Sequence, residues 1–100
     1  MSASAKRDGW KLRLYVVEGS SLAEQAVRNA ERTCEEFVPG NYELEVIDLG
    51  KEPERAVEDD IVAIPTVVRI SPGPKRRVIG VADVGKLAAA LNLRREDRGE

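Results

Sequence analysis

The sequence predicts a single α/β domain in the order β-α-β-α-β-β-α, with a parallel first half and an antiparallel second half. Three observations carry that expectation. Residues 10–17, WKLRLYVV, alternate with period two, residues 21–37 carry an apolar stripe at helical spacing, and two β-rich runs at 66–71 and 76–81 are joined only by PGPK. One hundred residues suffice for one modest core.

In the first run Trp10, Leu12, Leu14 and Val16 share a face, with Lys11 and Arg13 opposite. Ser21-Leu-Ala-Glu24 has capping-box spacing, and Ala23, Ala26, Val27, Ala30, Cys34 and Phe37 form the helical stripe. Pro39-Gly40-Asn41 ends that helix. YELEVIDL (42–49) is the second strand, and a strand, a four-turn helix and a strand make a βαβ unit with parallel strands. Pro53 opens a weak helix through about Asp60, in which only Ala56 and Val57 are apolar. TVVRIS (66–71) and Arg76–Val81 must pair as an antiparallel hairpin, because four residues cannot make a parallel crossover. Asp83 caps a last helix carrying Val84, Leu87, Ala88 and Leu91 on one face. Residues 1–9 read as a flexible N-terminus, 10–93 as the domain and 94–100 as a charged tail. A parallel βαβ half joined to an antiparallel ββα half is the thioredoxin arrangement.

Composition narrows the chemistry. One cysteine and no histidine exclude an intrachain disulfide, a histidine-based metal site and a histidine–nucleophile pair. In thioredoxin-like enzymes a CxxC motif lies between the first strand and helix. Here that loop is Glu18-Gly19-Ser20-Ser21, without sulfur, and Cys34 falls on the apolar stripe near the far end of the helix. A redox enzyme is therefore disfavoured, and no cofactor or metal is called for. The N-terminus lacks an apolar signal region and no run reaches membrane-spanning length, so a cytoplasmic protein is expected.

Charge is split along the chain. Residues 43–60 hold eight acids and two bases, whereas 61–82 hold Arg69, Lys75, Arg76 and Arg77 and no acid. Such a pattern either orients a partner or is simply a solvated face. The net charge of −2, and KRR without an aromatic platform, argue against nucleic acid. Pro65 either merely starts the third strand or, as an X–Pro bond, marks a slow conformational boundary.

LRLYVVEGSS (12–21), YELEVIDL (42–49), EPERAVEDDIVAIPT (52–66) and SPGPKRRVIG (71–80) together resemble the KaiB family of clock proteins. The resemblance implies a small non-enzymatic adaptor with two folds. One is a thioredoxin-like monomer that binds the N-terminal ATPase ring of KaiC. The other, often a homotetramer, refolds the C-terminal half in the order βαββααβ. Pro65, Thr66, Arg76, Arg77 and Gly80 match the family pattern, Arg69 keeps the charge of its lysine, and Gly73 replaces a proline. The implied KaiC-binding residues are Glu58, Asp60, Arg69, Arg76 and Arg77, although Asp60 stands where the family has lysine. Ala90 and Asn92 fall where the family has a Gly and an Asp whose replacement favours the thioredoxin-like state. Glu43 and Glu45 occupy positions that are small and basic in cyanobacterial members, which argues against KaiA and CikA as partners. A KaiB-like sensor domain of a histidine kinase is a further alternative, weighed against by the absence of a helical linker after RGE.

Overall fold

The structure, a computed structural model, describes residues 9–95. The expected flexible N-terminus and charged tail fall outside these residues, except for Gly9, Arg94 and Arg95. The elements are β1 (Trp10–Val16), α1 (Ser21–Phe37), β2 (Tyr42–Asp48), a 3-10 helix (Pro53–Val57), β3 (Thr66–Ser71), β4 (Arg76–Ile79) and α2 (Val84–Ala90). The strands line up β2-β1-β3-β4. β1 is parallel to β2 and antiparallel to β3, and β3 is antiparallel to β4. This is the thioredoxin-like arrangement that the sequence predicts.

Register sorts the side chains into two unequal layers, because directly paired residues share a face. Leu44, Leu12, Arg69 and Arg76 form one row across the sheet, and Val46, Leu14, Val67 and Val78 another. Both rows lie on the side covered by α1 and α2, where Leu12, Leu14, Val16, Ala23, Ala26, Ala30, Cys34, Val67, Leu87 and Leu91 form the main core. The small residues of α1 let the helix lie close to the strands. The opposite face carries the rows Glu45-Arg13-Val68-Arg77 and Ile47-Tyr15-Thr66-Ile79. Its core is a small cluster of Tyr15, Ile47 and Val68, with Leu49, Ile61 and Ile70 packed against it.

Local chemistry sets the element ends, in places shifted from expectation. The cap of α1 is Ser20, one residue before the expected Ser21: Ser20 Oγ accepts from the backbone N–H of Ala23 at 3.1 Å. With Ala23 at the third helical position no capping box forms. The segment after Gly50 is a 3-10 helix that ends at Val57, not a helix reaching Asp60, as its shortage of apolar anchors allows. β4 stops at Ile79 rather than Val81, because Gly80 has φ +92° and donates its N–H to Pro65 O at 2.8 Å. Asp83 caps α2 as expected, accepting from Lys86 N at 2.9 Å. At the other end of α2, Asn92 takes φ +57°. Leu93 N then reaches Ala88 O and Asn92 N reaches Ala89 O, a Schellman closure in which Leu93 and Ala88 are both buried.

Arg69 is corrected from surface to interior. It is 4 % exposed, its guanidinium 5.6 Å from the Trp10 ring centroid. Its Nη1 donates to Leu91 O and its Nη2 to Pro74 O, both at 3.0 Å. β3 is an inner strand and this row faces α2, so the side chain lies under the helix end instead of pointing to water. It pins α2 and the β3–β4 turn to the sheet. Arg95, exposed, lies 4.4 Å above the Phe37 ring and pairs with Glu36 on the surface. Among the described residues no helix is long and apolar enough to cross a membrane.

Candidate docking surface

The position of a thioredoxin-type redox centre comes first, since the fold supplies its scaffold. The loop Glu18–Ser21 lies at the N-terminus of α1 and flanks an open cleft of about 920 Å³ lined also by Val16, Val27, Val46 and Asp48. The Ile64–Pro65 peptide beyond it is cis. Ser20 is committed to the helix cap, and the loop itself holds no sulfur. Cys34 is buried and its thiol is pushed up to about 12, by burial first and then by Glu35 and Glu31. A thiol so placed supplies no thiolate at neutral pH. Among the described residues no three His, Cys, Asp or Glu side chains are grouped to hold a metal ion.

The charged chemistry lies on the sheet face away from the helices. The segment Glu58–Asp60 is tied to β1 through Arg13 and Tyr15 and to the hairpin through Lys75 and Arg77. At its middle Asp59, with its side chain fully buried, accepts three hydrogen bonds. Tyr15 OH donates to Oδ2 at 2.6 Å, Arg13 Nη1 to Oδ2 at 3.1 Å and Lys75 Nζ to Oδ1 at 2.6 Å. Burial alone would raise the carboxyl's pKa, but the bonds from Lys75, Tyr15 and Arg13 outweigh it and hold the value below the ordinary one. Burial and the bond to Asp59 push the Tyr15 phenol up to about 12. The pair is thus a carboxylate and a neutral phenol.

Around this centre the charges alternate. Arg13 Nη1 also reaches Glu58 Oε1 at 3.3 Å, and its Nε lies 3.4 Å from Glu45 Oε1 without hydrogen-bond alignment. Arg55 bridges Glu45, Glu52 and Glu58 at 3.2, 3.3 and 3.0 Å. Arg77 Nη1 approaches the backbone O of Asp60 at 3.5 Å, and Asp60 itself sits at φ +53°.

The predicted residues are therefore only partly together. Glu58, Asp60 and Arg77 share this face. Arg76, exposed on the same edge strand, points to the helix side, because neighbours in a strand alternate. Arg69 is interior and presents nothing to a partner in this fold. Pro65 and Thr66 are buried at the start of β3, where Thr66 Oγ1 donates to Ala63 O at 2.8 Å. Gly73 is exposed in the hairpin turn, and Ala90 and Asn92 are exposed at the end of α2. Glu43 and Glu45 lie on edge strand β2, Glu43 open and Glu45 engaged by Arg13 and Arg55. Sequence reading missed Asp59, Tyr15, Arg13 and Lys75. One hint was available in Ile61, whose apolar side chain marks where this acidic segment turns inward.

Comparison with known proteins fits this architecture. The KaiB domain model matches residues 13–92. The chain is 39% identical over 83 residues to the circadian clock protein KaiB3 of Synechocystis sp., covering 82% of this chain and 81% of that protein. It is 38% identical over 90 residues to a circadian clock oscillator protein KaiB of Prochlorococcus marinus, covering 89% and 83%. Among solved structures, the N-terminal domain of Synechococcus elongatus SasA superposes with a TM-score of 0.69 at 22% identity, covering 82% of this chain and 78% of that one. A chloroplastic thioredoxin z superposes with a TM-score of 0.70 at 22% identity, covering 90% and 81%.

Proposed function

This chain belongs to the KaiB family, and from that membership we propose that it is a non-enzymatic adaptor docking on the N-terminal ATPase ring of a KaiC-type protein. The observation that carries the reading is the sulfur-free Glu18–Ser21 loop. A thioredoxin scaffold with its helix N-terminus capped by Ser20, and its one thiol secluded, keeps surfaces but no reactive centre. The docking face in this proposal is Glu58 and Asp60 with Arg77, extended around the edge strand by Arg76. Arginines there can fork onto carboxylates of the ring. Because Glu43 and Glu45 make the β2 edge acidic, KaiA- and CikA-type partners are left out of the proposal. The protein would act in the cytoplasm, as a monomer in the fold described here or as a homotetramer after refolding of the C-terminal half. The small second core and the short 3-10 helix support such a change, since two packings must lie within a few kcal/mol of each other.

The test is size-exclusion chromatography with the KaiC-type ATPase of the same organism, with and without ATP. Co-elution of the wild type that is lost in Arg76→Glu/Arg77→Glu is expected. A wild type that never co-elutes ends the proposal, and unchanged co-elution of the variant removes the arginines from it.

A further inference from the structure

Resting on the docking reading above, we infer that Asp59 is the positioning residue of that face: its carboxylate, tied to Tyr15, Arg13 and Lys75, locks the Glu58–Asp60 segment and the Lys75–Arg77 end of β4 into one rigid unit. Three observations lead there. Asp59 lies between two exposed acids yet is itself 2 % exposed, so it touches no partner. Both of its oxygens are used, and on opposite sides: Oδ2 takes Tyr15 and Arg13 from β1, Oδ1 takes Lys75 from the hairpin. A second tie runs beside it, Arg77 to the Asp60 carbonyl. The segment therefore spans β3, holding on to strands on both of its sides, above the Val68 side chain in the row Arg13-Val68-Arg77.

The consequence for recognition is geometric. Glu58 and Asp60 flank the anchored residue, and Arg77 follows two places after Lys75, so their spacing is fixed before a partner arrives. A partner presenting a base and a carboxylate at matching separation pays little ordering entropy on such a preformed pattern. Arg13 on β1 and Lys75 on the hairpin reach Asp59 directly; Glu45 on β2 and Glu58 pair with Arg13, Arg55 on the 3-10 helix pairs with both of these acids, and Arg77 on β4 reaches the carbonyl of Asp60 beside it.

Tyr15→Phe is the discriminating variant, because Tyr15 has no exposed surface and the change removes one hydroxyl. Two readouts separate this inference from the docking reading. The first needs no partner: backbone amide resonances. In Tyr15→Phe and in Asp59→Asn, those of residues 58–61 and of 75–77 should shift together, because Tyr15 and Lys75 hold the same carboxylate, while those of Leu12, Leu44 and Ala30 stay in place. Resonances of 75–77 that ignore both variants would overturn the inference. The second is affinity for the KaiC-type ATPase, which should fall on the order of tenfold in Tyr15→Phe, as expected when one bond to a charged group is lost from a preformed site. An unchanged affinity in a folded Tyr15→Phe would also overturn it. If wild type fails to bind the ATPase the docking reading falls, and the resonances alone decide whether Asp59 joins the two segments. Should Asp59→Asn fail to fold, Lys75→Met replaces it, and the 58–61 resonances must then respond to a change made on the hairpin.

Discussion

Lys75 Nζ stands 2.6 Å from Oδ1 of Asp59, so a half-exposed ammonium in the hairpin closes on a carboxylate with no exposed surface. The asymmetry decides what each partner's loss costs. Lys75 can be rehydrated if Asp59 is removed, whereas Asp59 without Lys75 keeps only Tyr15 and Arg13.

The first prediction is a pH dependence of stability. The carboxyl of Asp59 is held below its unfolded value of about 3.9, so its contribution is complete only about a unit above that value. It is lost as pH falls from about 5 through the lower, folded value, since the unfolded chain then binds more protons. Urea unfolding of wild type should therefore weaken towards acid more steeply than that of Asp59→Asn. At pH 7 the variant should be less stable by about 3 kcal/mol, the low end for breaking a buried pair, because Lys75 is half exposed. Parallel acid limbs for the two proteins would contradict this.

Backbone handedness gives a second prediction. Gly80 at φ +92° and Asn92 at φ +57° both occupy the region that L side chains avoid. Gly80→Ala has open space for its methyl yet should cost about 1–2 kcal/mol from the dihedral alone. Asn92→Val should cost a similar amount by opposing the Schellman turn, and Asn92→Gly should stay within about 0.5 kcal/mol of wild type. Thermal melts of the three variants would rank them.

A third prediction concerns Cys34. Its thiol, 1 % exposed and raised to about 12, should resist maleimide at pH 8 in the folded protein and react at once in denaturant. Rapid labelling of the native chain would show that α1 opens readily.

The fourth concerns Arg69. Arg69→Met should cost about 2 kcal/mol, because the buried carbonyl of Leu91 loses its donor, whereas that of the exposed Pro74 can turn to water. Arg69→Lys recovers one bond at most and should fall between. Chemical denaturation measures both, and equal midpoints for Met and Arg would refute the pinning role.

What the sequence discloses and what it hides divide along a physical line. β1, α1 and β2 are legible because each has a periodic apolar side, and α2 because Asp83 precedes one. The cap at Ser20 slips by one residue from Ser21, since two adjacent serines carry the same chemistry and only the chain's path chooses between them. Arg69 reads as surface charge until the row Leu44-Leu12-Arg69-Arg76 places it under α2. Asp59 is the hardest case. Glu58, Asp59 and Asp60 look alike in one dimension, and the donors that single out the middle one come from residues 13, 15 and 75. No local pattern reports contacts of that separation.

The unequal layers on the two sides of the sheet set the order in which the molecule comes apart. Among the described residues most buried apolar side chains belong to the helical side, and the buried apolar cluster on the other is Tyr15, Ile47 and Val68. A partial opening that frees Pro53–Ile64 forfeits the thin layer alone and leaves the thick one standing, so it needs less free energy than global unfolding. A protease that samples such openings should make its first cut in that stretch, near Val57 or Val62, whose side chains are already in solvent.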